Sequence, residues 1–282
     1  MKTVNTISGG KTSAYISANY FADYNVFALV RTSDKKCMFP DAKIRQEVSD
    51  RLGTEFIGTL EDDTIIYTIL DLEQYIGKKI EWVTGKTFDE VIDKGGGTLP
   101  DPMRRYCTTE MKMKPMFEWW QKNINVPCEF RLGFRANETR RAKRTNSKLN
   151  ENGFLEMKAI VGKRGTLNKW ANVEWQKPVY PLIKDNIYKD NIEEYWKNKP
   201  VRFAYMNNCV GCFHKTPMLI KKMYEKHPNK INWFASKERI KHKKDVWYKD
   251  KNLSFKDIIK WKTQTELFDD DFNECDSGYC GL

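Results

Sequence analysis

The residues best suited to chemistry come early. Ser8-Gly9-Gly10-Lys11-Thr12-Ser13 separates an apolar stretch, residues 2–7, from one with helical spacing that begins at Thr12. Glycines let a backbone approach phosphate closely, and the first N–H groups of a helix point at it. The hydroxyls of Ser8, Thr12 and Ser13 add donors, and Lys11 adds charge. The spacing differs from a Walker loop, because no Gly-x-x-x-x-Gly-Lys run is present. Seven cysteines form the second group: Cys37, Cys107, Cys128, Cys209, Cys212, Cys275 and Cys280. Cys209-x-x-Cys212 and the late pair Cys275 and Cys280 together supply enough thiolates for a tetrahedral zinc site or an iron–sulfur cluster. Cys37 and Cys128 read as small packing residues. His214, His227 and His242 have no partner pattern and read as surface or packing histidines.

Elements must position these groups. Residues 2–7, 25–31, 54–58, 80–83 and 128–134 read as strands. Helices are expected from Thr12 to Phe21, over 41–52 with Asp41 as cap and Gly53 as stop, over 62–75 and over 87–94. Another is expected from Thr108 or Thr109 to about residue 124. This alternation predicts an α/β fold, a mostly parallel twisted sheet with helices on both faces. After residue 150 the pattern loosens, with strands at 154–161 and 173–181 and helices at 188–198, 216–226, 230–241 and 254–262. The expected division is a nucleotide-binding core, 1–150, and a helical, cysteine-bearing C-terminal part, 151–282, packed on it.

The order of motifs resembles a known family. Ser-Gly-Gly-x-x-Ser after the first strand resembles the PP-loop, or adenine-nucleotide α-hydrolase-like, superfamily. Phe39-Pro40-Asp41, Arg105-Tyr106-Cys107 with Lys112-Met113-Lys114-Pro115, and Gly133-Phe134-Arg135-Ala136-Asn137-Glu138 with Arg141 resemble blocks of its phosphoadenosine-phosphosulfate (PAPS) reductase branch. So does Pro181-Leu182-Ile183 followed by Asn191-Ile192-Glu193-Glu194-Tyr195. The resemblance covers about residues 4–215.

It implies a Rossmann-like fold and an adenine nucleotide, ATP or PAPS with or without Mg, over the carboxyl ends of the strands. Ser8, Gly9, Gly10, Lys11, Thr12 and Ser13 would hold phosphate or sulfate, and Arg31-Thr32-Ser33 would line the adenine or ribose. Gly133 belongs to the same wall. Arg135 and Arg141 are candidates for the phosphosulfate or pyrophosphate, since guanidinium forks suit such oxygens. Glu138 either binds a metal on the phosphates or pairs with a neighbouring arginine, and Arg141 has a surface ion pair as its alternative. Cluster-bearing relatives hold a 4Fe–4S cluster with a cysteine block at the place of Cys107 and a second pair at the place of Cys209 and Cys212. This chain has Tyr106 beside Cys107, so Cys275 or Cys280 would complete the set. Zinc is the alternative metal. Reductases of the family also end in a mobile Glu-Cys-Gly segment whose cysteine attacks sulfur. Here Glu274-Cys275 and Cys280-Gly281-Leu282 divide that motif, and its histidine is absent.

Two enzymatic functions follow. One is PAPS-reductase-like sulfur chemistry, with Cys280 or Cys275 as nucleophile and a thioredoxin-like reductant. The other is an ATP-dependent sulfurtransferase or other modifier of DNA or tRNA. A third reading is a non-catalytic nucleotide- or nucleic-acid-binding protein. Composition bears on the choice. The 282 residues carry 49 Lys+Arg against 38 Asp+Glu, a net charge of +11. Such an excess suits a polyanionic partner, and it also suits a lysine-rich solvated surface. Lysines among Trp and Tyr over 201–262 suit a nucleic-acid groove or an ordinary helical face. The mean hydropathy is -0.70. No apolar run is long enough to span a membrane and no basic-then-apolar leader opens the chain, so a cytosolic protein without disulfides is expected.

Overall fold

The computed structural model describes residues 1–94, 96–102, 104–206, 208–238, 240–241, 244–245 and 253–262. Strand β1 (Thr3–Ile7) leads to helix α1 (Lys11–Asn19), then β2 (Tyr24–Leu29), α2 (Ala42–Leu52), α3 (Thr64–Ile76), β3 (Ile80–Thr84) and α4 (Phe88–Lys94). A helical run follows through α5 (Tyr106–Thr108), a π turn (Thr109–Met113) and α6 (Lys114–Asn123). Strand β4 (Cys128–Arg131) and α7 (Thr139–Asn146) lead to a hairpin of β5 (Leu155–Arg164) and β6 (Leu167–Val179). The remainder is α8 (Pro181–Lys184), α9 (Lys189–Trp196), α10 (Pro217–Lys226), α11 (Pro228–Lys237), the short pair β7 (Ile240–Lys241) and β8 (Lys244–Asp245), and α12 (Phe255–Ile259).

Six strands form one sheet in the order β3-β2-β1-β4-β6-β5. Every neighbouring pair is parallel except β5 with β6. The fold is therefore α/β with a mostly parallel mixed sheet. Parallel strands are covered on both faces, so their sequences are apolar runs rather than alternations. Strand β2 follows this rule and is buried from Asn25 through Leu29. Ile7, Phe27, Leu29, Ile80 and Trp82 face Ala14 and Ile16 of α1 and Ile65, Ile66, Ile69 and Leu72 of α3. Val4, Val26, Ala28, Val83, Phe130 and Trp175 face Met116, Phe117 and Trp120 of α6. A further cluster joins α4, α10, α11 and α12 to Val30 and Leu60.

Local chemistry explains several boundaries. Asp41 caps α2 by accepting the N–H groups of Lys43 and Ile44, and Gly53 ends it with φ of 64°. Thr216 accepts the N–H of Leu219 at the start of α10. Three expectations change. Residues 54–58 do not join the sheet, and Gly58 makes single antiparallel bridges to Thr32 and Met38. The crossing at Gly58 is so close that a Cβ would lie 2.0 Å from the Cys37 carbonyl, and residues 80–84 take the place beside β2. Neither Thr108 nor Thr109 is a cap, because the helical run starts at Tyr106 and Thr109 lies within the π turn. The sheet also crosses residue 150, since Gln176–Val179 of β6 pair with Cys128–Arg131 of β4. No helix among the described residues is long and apolar enough to cross a membrane.

Trp175 is fully buried, with ring centroids of Phe130 and Phe117 at 4.9 and 5.4 Å. Trp175→Ala is expected to lower unfolding free energy by about 3–5 kcal/mol. Asp41→Ala is expected to cost about 1 kcal/mol. Denaturant titration checks both.

Candidate functional site

Strand β1 leads to β2 on one side and β4 leads toward β6 on the other, so the strand order reverses between β1 and β4. The crevice at the carboxyl ends of the strands beside such a switch point is where open α/β sheets bind ligands. The loop after β1 is residues 8–10, and the loop after β4 is residues 132–135. The second loop lies against the first turn of α1: a Cβ on Gly133 would lie 3.4 Å from Thr12 Cγ2 and 3.7 Å from the Ser13 nitrogen. Two segments far apart in sequence thus lie side by side as the two walls of the candidate site.

Gly9 has φ of +80°, and a Cβ there would lie 2.6 Å from Ile65 Cγ2. Both the dihedral and the space demand glycine. Gly10 is the N-cap of α1 and offers no side-chain cap, and the first turn contains no acidic residue. The opening N–H groups of α1 are therefore left for an outside acceptor, at the positive end of the helix dipole. Ser13 shapes this loop from within. Its hydroxyl donates to the Gly10 carbonyl at 3.0 Å and accepts the Ser8 N–H at 3.1 Å. Ser8 Oγ lies 3.2 Å from Ser13 Oγ. Lys11 turns away to pair with Glu193 of α9. An open depression of about 580 Å³ lies beside that pair, lined by Lys11, Asp190, Glu193, Glu194, Trp196 and Lys197. Three carboxylates against two lysines suit a polyanion poorly, so the crevice is the better phosphate site.

The second wall carries a charged trio. Glu138 Oε2 accepts the Arg135 backbone N–H at 2.7 Å and Arg135 Nε at 3.2 Å. Glu138 Oε1 accepts Arg141 Nη1 at 2.5 Å. Burial works against the Glu138 charge, but the Arg135 N–H and the Arg141 guanidinium outweigh it and hold the carboxyl below its ordinary range. Arg141 also lies over the Phe134 ring at 4.2 Å, and Phe134 stacks on Tyr180. Glu138 thus pairs with both arginines.

Arg31, Thr32 and Ser33 leave β2 at the same edge, yet they bond inward. Arg31 donates to Thr84 Oγ1, the Glu55 carbonyl and the Gly85 carbonyl at 2.8–2.9 Å. Thr32 Oγ1 and the Ser33 N–H both donate to Asp89 Oδ2, at 2.7 and 3.0 Å. They brace the end of β2 against β3 and α4.

The cysteine loop reaches this edge as well. The Val210 N–H donates to the Leu60 carbonyl at 2.8 Å, and Gly211 packs so tightly on Phe234 that a Cβ would lie 2.4 Å from its ring. Cys209 and Cys212 close a turn, with the Cys212 N–H donating to the Cys209 carbonyl at 3.0 Å. Buried Lys215 holds that same carbonyl at 2.8 Å. Cys107 and Cys209 flank one hydrophobic cluster. Among the described residues, no group of three or more His, Cys, Asp or Glu is arranged to hold a metal ion. Cys275 and Cys280, assigned as ligand or nucleophile, lie outside the described residues, as does His242. Burial pushes the thiols of Cys37 and Cys128 up to about 12, which matches packing roles.

A buried polar network beside the loop escapes a sequence reading. Glu61, 1% exposed, takes Lys112 Nζ at 3.0 Å, while its Oε2 has no hydrogen-bond partner among the described residues. Lys230 donates to the Glu61 carbonyl and to Asp63 Oδ1, both at 2.7 Å. His227 Nε2 lies 3.1 Å from Asp62 Oδ2. These residues lead into α3, whose Ile65 sits against Gly9. The only hint in the sequence is the acidic triplet Glu61-Asp62-Asp63, since its partners lie 51 to 169 residues away.

Comparison with family models, curated proteins and solved structures returns no match.

Burial works against ionisation of Asp62, but the bonds from His227 and the Thr64 N–H outweigh it and lower its pKa from 3.8 to about 2. A depressed carboxylate contributes stability above its unfolded pKa and loses it as pH falls through the folded one. Stability is expected to fall between pH 4 and 2, with Asp62 accounting for about 2 kcal/mol of that loss. Asp62→Asn should flatten this part of the profile, as measured by denaturant midpoints against pH.

Proposed function

We propose that the chain is a PP-loop enzyme of the PAPS-reductase type. It binds an adenine nucleotide, PAPS or ATP, in the crevice between the loops after β1 and β4. The supporting observation is the contact of Gly133 with Thr12 and Ser13, which joins the uncapped N-terminus of α1 to the Arg135–Glu138–Arg141 trio. An anion there meets unpaired backbone N–H groups on one side and two guanidinium groups on the other. The adenine identity rests on the resemblance of the loop and of the blocks at residues 105–115 and 133–141.

On PAPS, a cysteine thiolate attacks the sulfonate sulfur and the bisphosphate nucleotide leaves. A thioredoxin-like dithiol then reduces the thiosulfonate and releases sulfite. Cys275 and Cys280 are the proposed nucleophiles. A 4Fe–4S cluster or a zinc ion would draw on Cys107, Cys209 and Cys212. These three do not form a ligand group among the described residues, and no step is routed through a metal.

A second reading is an ATP-dependent sulfurtransferase acting on DNA or tRNA. One observation favours it, an exposed basic hairpin formed by β5 and β6.

Thermal unfolding with each nucleotide tests the site. At a ligand concentration roughly 100-fold above Kd, binding should add about 2.7 kcal/mol and raise Tm. Gly133→Val, which pushes a side chain toward Thr12, should abolish the rise. PAPS-dependent sulfite release with thioredoxin supports the reductase, and AMP formation dependent on added DNA or tRNA supports the sulfurtransferase. If neither PAPS nor ATP shifts Tm, the crevice is not a nucleotide site.

A further inference from the structure

Strand β6 is thirteen residues long, yet only Gln176–Val179 pair with β4. From Leu167 to Glu174 its only strand partner among the described residues is β5. These eight residues and their β5 partners form a two-stranded ribbon roughly 25 Å long, at about 3.4 Å per residue. The ribbon leaves the sheet at the amino ends of the parallel strands, because β6 runs parallel to β4 and reaches the crevice edge only at Val179. It is therefore separate from the nucleotide site.

Its composition is one-sided. Residues 157–173 contain Lys158, Lys163, Arg164 and Lys169 and no Asp or Glu. None of these four cations makes an ion pair among the described residues. Beside them stand exposed apolar side chains: Trp170 is 55% exposed, Leu167 73%, Ile160 46% and Val161 47%. The register sets Ile160 opposite Trp170, Lys158 opposite Asn172 and Lys163 opposite Asn168. Across the shift between Ile160 and Gly162, Lys158, Ile160, Lys163 and Trp170 share one face. Met157, Ala159 and Val173 take the other face and pack on the core.

Edge strands often carry lysine to discourage pairing with other chains. That purpose is served by charge alone and is weakened by exposing Trp170, Ile160 and Leu167. A lone hydrophobic contact surface, conversely, would not need four unpaired cations. The two features together fit one ligand chemistry, phosphates regularly spaced along a backbone beside flat bases that stack on an indole. We infer that the β5–β6 ribbon is a nucleic-acid-binding arm. It holds a single-stranded stretch with Lys158 and Lys163, which share the face of Trp170, on phosphates and Trp170 against a base. The inference is independent of which nucleotide occupies the crevice.

Fluorescence anisotropy of the full chain with labelled single-stranded DNA, single-stranded RNA and a DNA duplex tests the arm. Single strands should bind more tightly than the duplex, and affinity should fall linearly with log salt. Lys158→Ala and Lys163→Ala should each reduce the magnitude of that slope by about 0.7. Trp170→Ala should weaken single-strand binding by about tenfold, and Trp170→Phe should restore most of it. The DNA and RNA arms identify which polymer is preferred. The proposal is overturned if neither single strand binds, or if binding survives the combined Lys158→Glu, Lys163→Glu and Trp170→Ala changes. It is also overturned if those changes instead convert a dimer to a monomer in light scattering, because the ribbon is then an interface between copies. Far-ultraviolet circular dichroism and Tm of the variants should match the parent. The nucleotide-induced rise in Tm should persist in them, so failure of the arm and failure of the crevice are read separately.

Discussion

Parallel pairing of β1 with both β2 and β4 is the constraint on which the candidate site depends. The chain leaves β1 toward β2 and leaves β4 toward β6, so the strand order reverses between them and their loops start side by side at the carboxyl ends. Within the loop after β1, Gly9 abuts Ile65 of α3 and leaves no room for another side chain, while a Cβ on Gly133 would stand in ordinary contact with Thr12 and Ser13. The apolar face of α3 thus sets how closely a ligand can approach the first turn of α1. Packing of Ile65, Ile66, Ile69 and Leu72 is in this sense part of the site.

Charge at the edge is arranged in local, nearly closed sets. Arg135 and Arg141 share Glu138, Lys11 has Glu193, and Lys112 has Glu61. Burying an ion alone is costly, so each cation near the crevice is accompanied by a carboxylate. The trio on the second wall retains a net positive charge, two guanidinium groups against one carboxylate. An incoming phosphate would therefore add to a set that already has its geometry, with little reorganisation. Lys11 differs. Its neighbourhood contains Asp190, Glu193 and Glu194, and this carboxylate cluster, rather than the loop, governs where its ammonium rests.

Local signals were legible in the sequence, and long-range pairings were not. Asp41 and Gly53 mark α2 because a cap and a left-handed stop are properties of single residues. The glycine loop was legible for the same reason. The stretch 54–58 looked like a strand because periodicity cannot tell a sheet member from an extended crossing; the choice was made by the close approach of Gly58 to Cys37. Thr108 and Thr109 looked like caps, but the helical run begins earlier and passes through a π turn. Arg31, Thr32 and Ser33 stand at the expected edge, and only the positions of Thr84, Gly85 and Asp89 decide that they bond inward. His227 had no local partner pattern, and its carboxylate, Asp62, stands 165 residues away in the sequence.

The pairing of β4 with β6 completes the separation of the molecule into two working ends. Only four residues of each strand form it, yet it fixes both the crevice wall at Arg131–Arg135 and the root of the ribbon at Gln176. The ribbon adds Met157, Ala159 and Val173 to the core near that root. Beyond Ile160 and Trp170 its side chains bury little, so hydrophobic stabilisation does not account for its length. An exposed ribbon of this kind exposes backbone and apolar surface to solvent and adds an edge at which chains can aggregate. Stability of the fold gives no reason to keep it, whereas a partner that covers Trp170 and neutralises the lysines on its face does.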